Sequence, residues 1–151
     1  MADLYRLEDQ LCFALYAASR AMTAAYAPLL DKLGLTYPQY LVLIVLWDRD
    51  GQRVSEIGQW LHLDSATLTP LLKRLEARGL IERRRSTTDE RVVEVFLTGD
   101  GKRVKRRCSE IPLAVFGKSG LSLAELTRLR GTLQELTQRL RGASAAPKRA
   151  R

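Results

Sequence analysis

Residues 51–97 read GQRVSEIGQWLHLDSATLTPLLKRLEARGLIERRRSTTDERVVEVFL, and the fold turns on this stretch. Its first half is punctuated as two short helices. Ser55 is placed to cap one running through Leu61, and Asp64 to cap a second that ends just before Gly79. In the second helix Leu68, Leu71, Leu72 and Leu75 share one side at helical spacing and are expected to bury it. The opposite side carries Ala66, Thr69, Pro70 and Lys73, flanked by Ser65, Thr67 and Arg74. Small residues let a backbone approach a DNA groove, hydroxyls and methyls meet base edges, and cations lie along phosphates. Taken as a merely solvated face, the same residues would need no ligand. Pro70 argues against that plain reading, because a proline inside a helix costs ~3 kcal/mol and something must offset it.

The second half of the stretch is a hairpin, with strands expected at Ile81–Arg84 and Val92–Leu97 around the polar run RSTTDER. Arg83, Arg84, Arg85 and Arg91 cluster toward its tip, where a loop reaches phosphates or a narrow minor groove. Asp89 lies two residues before Arg91 and is placed to hold that guanidinium in one pose. Beside a recognition helix, such a charged tip reads as a wing. The expected fold is therefore mainly α with a small β wing: a winged helix-turn-helix.

The whole chain agrees with a polyanionic partner. Its 151 residues carry a formal charge of +8. Part of the excess sits in residues 142–151, GASAAPKRAR, which reads as a disordered basic tail after a single domain over 1–141. No apolar run is long enough to span a bilayer, and the N-terminus lacks a signal-peptide layout, so a cytoplasmic protein with no membrane partner is expected. Two cysteines far apart and a single histidine, His62, suggest neither a disulfide scaffold nor a metal site. His62 reads as a structural turn residue, and no cofactor or catalytic constellation is expected.

Outside the module the pattern is helical. Leu4, Leu7, Leu11, Ala14, Ala18 and Met22 form one apolar stripe, and Leu126, Leu129, Leu133, Leu136 and Leu140 another, after Ser122 as a cap. The module between them cannot cover both stripes. Helix-turn-helix proteins gain affinity and a palindromic site by pairing, so a homodimer is expected, built from helices at about 4–26 and 101–140. A nearly all-apolar helix from Tyr37 to Trp47 opens with Thr36 and Gln39 at capping-box spacing and reads as the buried centre. A further helix is expected from Gly101 to about Ile111, bent or ended by Pro112.

Helical ends around a winged helix, the D-x-R element at Asp89–Arg91 and the strand end VEVFLT resemble the MarR family of bacterial repressors, over about Leu7 to Leu140. Within it, LCFALYAASRAM at 11–22, GLTYPQY at 34–40 and LDSATLTPLLKRLEARGL at 63–80 are similar to the organic-hydroperoxide-sensing OhrR subfamily. The resemblance implies a dimeric repressor of double-stranded DNA, released from a palindromic operator when organic hydroperoxide oxidises Cys12. It also implies that Arg91 enters the minor groove, that Ser65, Thr67 and Thr69 face the major groove, and that Tyr26 and Tyr37 hydrogen-bond the reactive sulfur.

The residues themselves leave Cys12 open. Its spacing is that of a small buried hydrophobe, the usual state of an unpaired cysteine. Peroxide reacts with thiolate, and a free cysteine has a pKa of about 8.5, so a sensor needs hydrogen-bond donors or cations. Tyr26 and Tyr37 are donors if packing brings them near, whereas Glu8, Asp9 and an apolar wall work against the charged form. Phe13 and Tyr16 would line a pocket suited to an organic hydroperoxide. The resemblance places a second, resolving cysteine of some relatives near Phe116–Gly117, where this chain has none. Cys108 follows Lys105, Arg106 and Arg107, which would lower its pKa, yet reads most simply as a helix residue without a redox task. A one-cysteine switch is favoured: a sulfenic acid, then a mixed disulfide with a small thiol. Two other readings remain: a repressor released by a non-covalent aromatic or phenolic ligand with Cys12 inert, and a thiol peroxidase, which would need an activating arginine that the Cys12 segment lacks.

Overall fold

The computed structural model describes residues 5–142. A 3-10 turn at Leu7–Asp9 precedes seven helices and three short strands. The helices are α1 (Leu11–Asp31), α2 (Tyr37–Asp48), α3 (Val54–Leu61), α4 (Ser65–Ala77), α5 (Gly99–Cys108), α6 (Ile111–Ser119) and α7 (Leu123–Arg141). The strands are β1 (Gln52–Arg53), β2 (Ile81–Arg85) and β3 (Val93–Leu97), antiparallel in the order β1-β3-β2. Arg83 lies opposite Val95, and Gln52 flanks Val95 from the other side.

α2 forms where it does because Thr36 and Gln39 close a reciprocal capping box, with Pro38 in the first turn at no cost in backbone bonds. Tyr40, Val42, Leu43 and Leu46 are buried on it, so α2 is the centre of the fold. The core around it takes in Leu30 of α1, Ile57 of α3, Leu68, Leu72 and Leu75 of α4, Val95 of β3, and Ile111 and Val115 of α6. Each fully buried aliphatic side chain contributes about 1.5–3 kcal/mol, so the three leucines of α4 outweigh the ~3 kcal/mol that Pro70 withdraws. The proline persists inside α4 for that reason.

Two close approaches fuse the module to the rest. A Cβ on Gly58 would lie 2.7 Å from the Leu63 carbonyl oxygen, so only glycine lets the turn after α3 close so tightly. A Cβ on Gly101 would overlap the Leu80 carbonyl oxygen, which brings α5 against the start of β2. The same junction is stitched by Thr98, whose hydroxyl donates to the Gly79 carbonyl at 2.6 Å, and by the Trp47 indole, which donates to the Gly101 carbonyl at 2.9 Å.

Several element boundaries differ from the sequence reading. Ser55 does not cap α3; the helix begins at Val54, and Glu56 accepts from the Arg53 backbone N–H at 2.8 Å. That orphan amide is satisfied by the glutamate. The first helix begins at Leu11, with Leu7 in the separate 3-10 turn, and it continues through Pro28 to Asp31. Leu4 and the tail at 143–151 lie outside the described residues. Pro112 neither bends nor ends α5, which stops at Cys108; it sits in the first turn of α6, where its missing N–H costs nothing. Asp64 does cap α4, accepting from the Thr67 N–H at 2.7 Å, and Ser122 caps α7 in a capping box with Glu125.

Candidate nucleic-acid interface and redox site

α4 presents two faces of opposite character. Leu68, Leu72 and Leu75 are buried, whereas Ser65, Ala66, Thr67, Pro70, Lys73 and Arg74 are exposed and Thr69 is half-buried. The helix starts cleanly because the Asp64 carboxylate is held below the usual range by hydrogen bonds from Thr67, the same contacts that satisfy the helix N-terminus. His62 precedes it at φ 56°, a left-handed turn residue as its position suggested.

The wing sorts its arginines. Arg83 is not free at the tip: its Nε and a terminal nitrogen clasp the Glu76 carboxylate at 2.9 and 2.7 Å, and its backbone N–H adds a third bond. Arg84 pairs with Glu82 at 2.6 Å and lies over the Phe96 ring, 4.8 Å from its centroid. Both therefore brace the hairpin. Arg85 reaches the Glu90 carbonyl at 3.4 Å across the loop. Arg91 extends outward, its side chain 92% exposed, while Asp89 accepts from its Nε at 3.2 Å and from its backbone N–H. Those bonds hold the Asp89 carboxyl below its ordinary range, with Arg53 adding to the effect. Arg53 is an exposed cation near the wing that sequence reasoning missed. Its signal is tertiary, since β1 and the wing are far apart in the chain.

The second feature lies on α1. Cys12 is a free, exposed thiol near the start of the helix, not a buried hydrophobe. From Leu11 to Met22 every residue but Leu15 is exposed, Phe13 and Tyr16 at 40% and 58%. Among the described residues of one chain, therefore, no apolar pocket closes around the sulfur. Tyr16 instead accepts from Arg20 at 3.0 Å, with that guanidinium over its ring.

Tyr26 and Tyr37 do come together, their ring centroids 4.9 Å apart, and both touch Tyr40, which packs on Trp47. Burial first, then the neighbouring Tyr37, raises the Tyr26 pKa, and burial raises that of Tyr37. Tyr40 is pushed up to about 12, by burial and then by Tyr26, Cys108 and Tyr37. All three remain protonated phenols, able to donate. They are not near the sulfur of their own chain: Tyr26 is on the same helix as Cys12, and at ~1.5 Å per residue the two stand roughly 21 Å apart along the axis.

Cys108 is buried beside Tyr40. Burial pushes its thiol up and outweighs the opposing effect of Arg107, so the run of cations before it does not make it reactive. Among the described residues no cluster of His, Cys, Asp and Glu is placed to hold a metal, and no helix is long and apolar enough to cross a membrane.

A buried three-leucine face, an exposed polar face and an arginine-tipped hairpin define a DNA-binding transcriptional regulator of the winged helix-turn-helix class. The SarA/Rot family of transcriptional regulators matches residues 24–108. The organic hydroperoxide resistance transcriptional regulator of Bacillus subtilis is 50% identical over 138 residues, 91% of this chain and 94% of that protein. The regulator TtmR of Methylorubrum extorquens is 49% identical over 91% of this chain and 71% of its own length. AbfR of Staphylococcus epidermidis, in its reduced form bound to DNA, superposes with a TM-score of 0.77 at 38% identity, covering 90% and 93% of the two chains. The chain belongs to the MarR family of transcriptional regulators, among the organic hydroperoxide resistance regulators.

Proposed function

We propose that two copies of this chain form a repressor that binds a palindromic duplex and releases it when an organic hydroperoxide oxidises Cys12. The observation that carries the reading is the separation on α1. Cys12 lies near the start of α1, whereas Tyr26 lies toward its end with Tyr37 of α2 packed against it, so thiol and phenols would be brought together by a second α1 running antiparallel to the first. The exposed apolar side chains support that pairing. Leu11, Phe13, Tyr16 and Met22 on α1, and Leu123, Leu129, Leu133 and Leu140 on α7, are uncovered in one chain, and α7 buries none of its residues within it. In the pair, Phe13 and Tyr16 would wall the sulfur, and Tyr26 and Tyr37 of the second copy would donate to it.

The chemistry is then simple. The Cys12 thiolate attacks the distal peroxide oxygen; an S–O bond forms as the O–O bond breaks, and the alkoxide leaves as the alcohol after taking a proton. The resulting sulfenic acid condenses with a small cellular thiol, losing water and forming a mixed disulfide. A second thiol exchange restores Cys12. On the DNA, Arg91, set by Asp89, enters the minor groove, with Arg85 and Arg74 on phosphates. Ser65, Thr67 and Thr69 face the major groove, Pro70 gives close approach and Lys73 contacts the backbone. AbfR has been solved both reduced and overoxidised on DNA and also with a disulfide formed, which supports oxidation chemistry on this fold.

The test combines mass spectrometry of the DNA-bound protein after cumene hydroperoxide with a gel shift. Cys12→Ser should bind DNA and ignore the peroxide, and an adduct should map to Cys12. Equal release from wild type and Cys12→Ser would point to a non-covalent ligand instead. A Cys12–Cys108 crosslink on nonreducing electrophoresis, which the burial of Cys108 argues against, would overturn the one-cysteine route. Sustained peroxide turnover with a thiol reductant would make the protein an enzyme.

A further inference from the structure

α2 carries an aromatic stripe that runs from the Tyr26–Tyr37 pair toward the base of the wing. Tyr37, Tyr40 and Trp47 fall on one side of the helix, and a rise of ~1.5 Å per residue makes the stripe roughly 15 Å long. Tyr40 holds its middle. It is 3% exposed, and its ring centroid lies 5.9 Å from that of Tyr26, 6.3 Å from that of Tyr37 and, edge-on, 6.1 Å from that of Trp47. Aromatic rings attract at these separations, and a close-packed ring has little free volume in which to absorb a neighbour's shift. At the far end Trp47 is bound to α5 at two points one turn apart. Its indole N–H donates to the Gly101 carbonyl at 2.9 Å, and its own carbonyl accepts from the Lys105 ammonium at 3.3 Å. The last turn of α2 also holds β1, since the buried Gln52 amide donates to the carbonyls of Val45 and Arg49 at 3.2 and 2.8 Å. β1 pairs with β3, and Gly101 is pressed on the Leu80 carbonyl at the start of β2. The end of α2 is therefore attached to both strands of the wing. A stripe of core aromatics needs no task beyond packing, but Trp47 is only half-buried, and its N–H is spent on α5 rather than on water.

We propose that Tyr40 and Trp47 are positioning residues that carry the oxidation state of Cys12 to the wing. The inference rests on the reading of Tyr26 and Tyr37 as donors to the thiol of a second copy. When that sulfur gains an oxygen or a small-thiol adduct, the two phenols move aside to admit it. Tyr40 touches both and follows, and the Trp47 indole draws the root of α5 with it, and with that root the base of the wing. The two residues meet neither peroxide nor DNA. They set how far oxidation lowers affinity, not how fast Cys12 reacts or how tightly the reduced protein binds.

The experiment compares wild type with Trp47→Phe, which keeps an aromatic ring in the stripe and removes the N–H. Each is titrated onto a duplex selected from a randomised library by the reduced wild-type protein, before and after cumene hydroperoxide and glutathione, while mass spectrometry follows modification of Cys12. Cys12 should be modified at the wild-type rate in Trp47→Phe, and the reduced-form Kd should stay close to wild type. The ratio of oxidised to reduced Kd should shrink about fivefold, within the range that residues lying between coupled sites produce. Ile57→Val, a core substitution outside the stripe, should keep the wild-type ratio, which separates coupling from general loosening. In Trp60→Phe, Trp47 is the sole tryptophan, and its emission should change in step with modification of Cys12. Constant emission through complete modification overturns the relay, as does a wild-type Kd ratio in Trp47→Phe or an equal loss in Ile57→Val. Wild type that stays on DNA with Cys12 fully modified sinks the sensing reading itself, and the relay with it.

Discussion

Arg78, one residue past α4, donates to the Leu33 carbonyl at 2.8 Å and also to that of Gly34, so the end of α4 grips the chain leaving α1. Gly34 itself turns at φ 62°, a conformation that favours glycine, and a Cβ there would lie 2.9 Å from the guanidinium and push its flexible end aside. The two segments are 44 residues apart in sequence. The clasp joins the helix that bears the thiol to the helix proposed to face DNA.

Arg78→Ala should destabilise the protein by about 1 kcal/mol, less than a buried charged hydrogen bond because the side chain is exposed. Urea denaturation checks this. An unchanged midpoint would mean that the clasp forms and breaks without consequence.

Arg91→Ala should weaken binding to operator DNA, because its 92%-exposed guanidinium is set in place by Asp89. Thr69→Ala should instead alter sequence preference with little change in salt dependence. Binding titrations against a randomised duplex library separate the two effects, and equal operator affinity for Arg91→Ala and wild type would refute the wing assignment.

The proposed trans arrangement of thiol and phenols predicts complementation. Cys12→Ser and Tyr26→Phe each impair oxidation when alone. A mixed dimer restores one complete site, pairing Cys12 of one chain with Tyr26 of the other. Stopped-flow oxidation of a co-purified heterodimer should show half the sites reacting at the wild-type rate. Uniformly slow reaction would place the phenols elsewhere.

Glu76 is held below the usual carboxylate range, first by its side-chain bonds from Arg83 and then by the Arg83 backbone N–H. A folded pKa below the unfolded one means stabilisation that is complete above the unfolded value of about 4.3 and fades as pH falls through the lower folded value. Asp64, Asp89 and Glu125 shift the same way. Stability should therefore hold from neutrality to about pH 5 and decline below it. Glu76→Gln should flatten that acid limb, as urea midpoints at about pH 6 and about pH 3.5 would reveal.

Gly101→Ala should cost more than about 3 kcal/mol, since the added carbon meets backbone that cannot yield. Gly79→Ala, at φ 69° with open space around it, should cost about 1 kcal/mol from backbone strain alone. Thermal melts of the two variants test the ordering.

Much of the module was legible because its signals are local. The Thr36–Gln39 box, the Asp64 cap, the leucines of α4 and the Asp89–Arg91 pair all act within four residues or repeat at helical spacing. What failed was also local in cause. Ser55 and Glu56 both suit a helix start, and a single sequence does not say which acts, while Pro112 serves equally to stop one helix or open the next. The roles of Arg83 and Arg53 depend on a partner 7 residues away or on packing between elements, so a charge cluster alone did not separate braces from free cations. Cys12 shows the same limit: periodicity marks its face of α1 as apolar but not whether its own chain or another covers it.

The overlap that bars any side chain at Gly101, with Thr98 and Trp47 sewn to the same spot, fixes the root of α5 to the start of β2 and the end of α2. A displacement of α5 is therefore passed straight to the base of the wing and to the end of α4 that leads into it. A switch acting on such a body would change the spacing or tilt between two heads rather than fold a wing away, and DNA with half-sites at another phase could then fit the oxidised protein better than the reduced one.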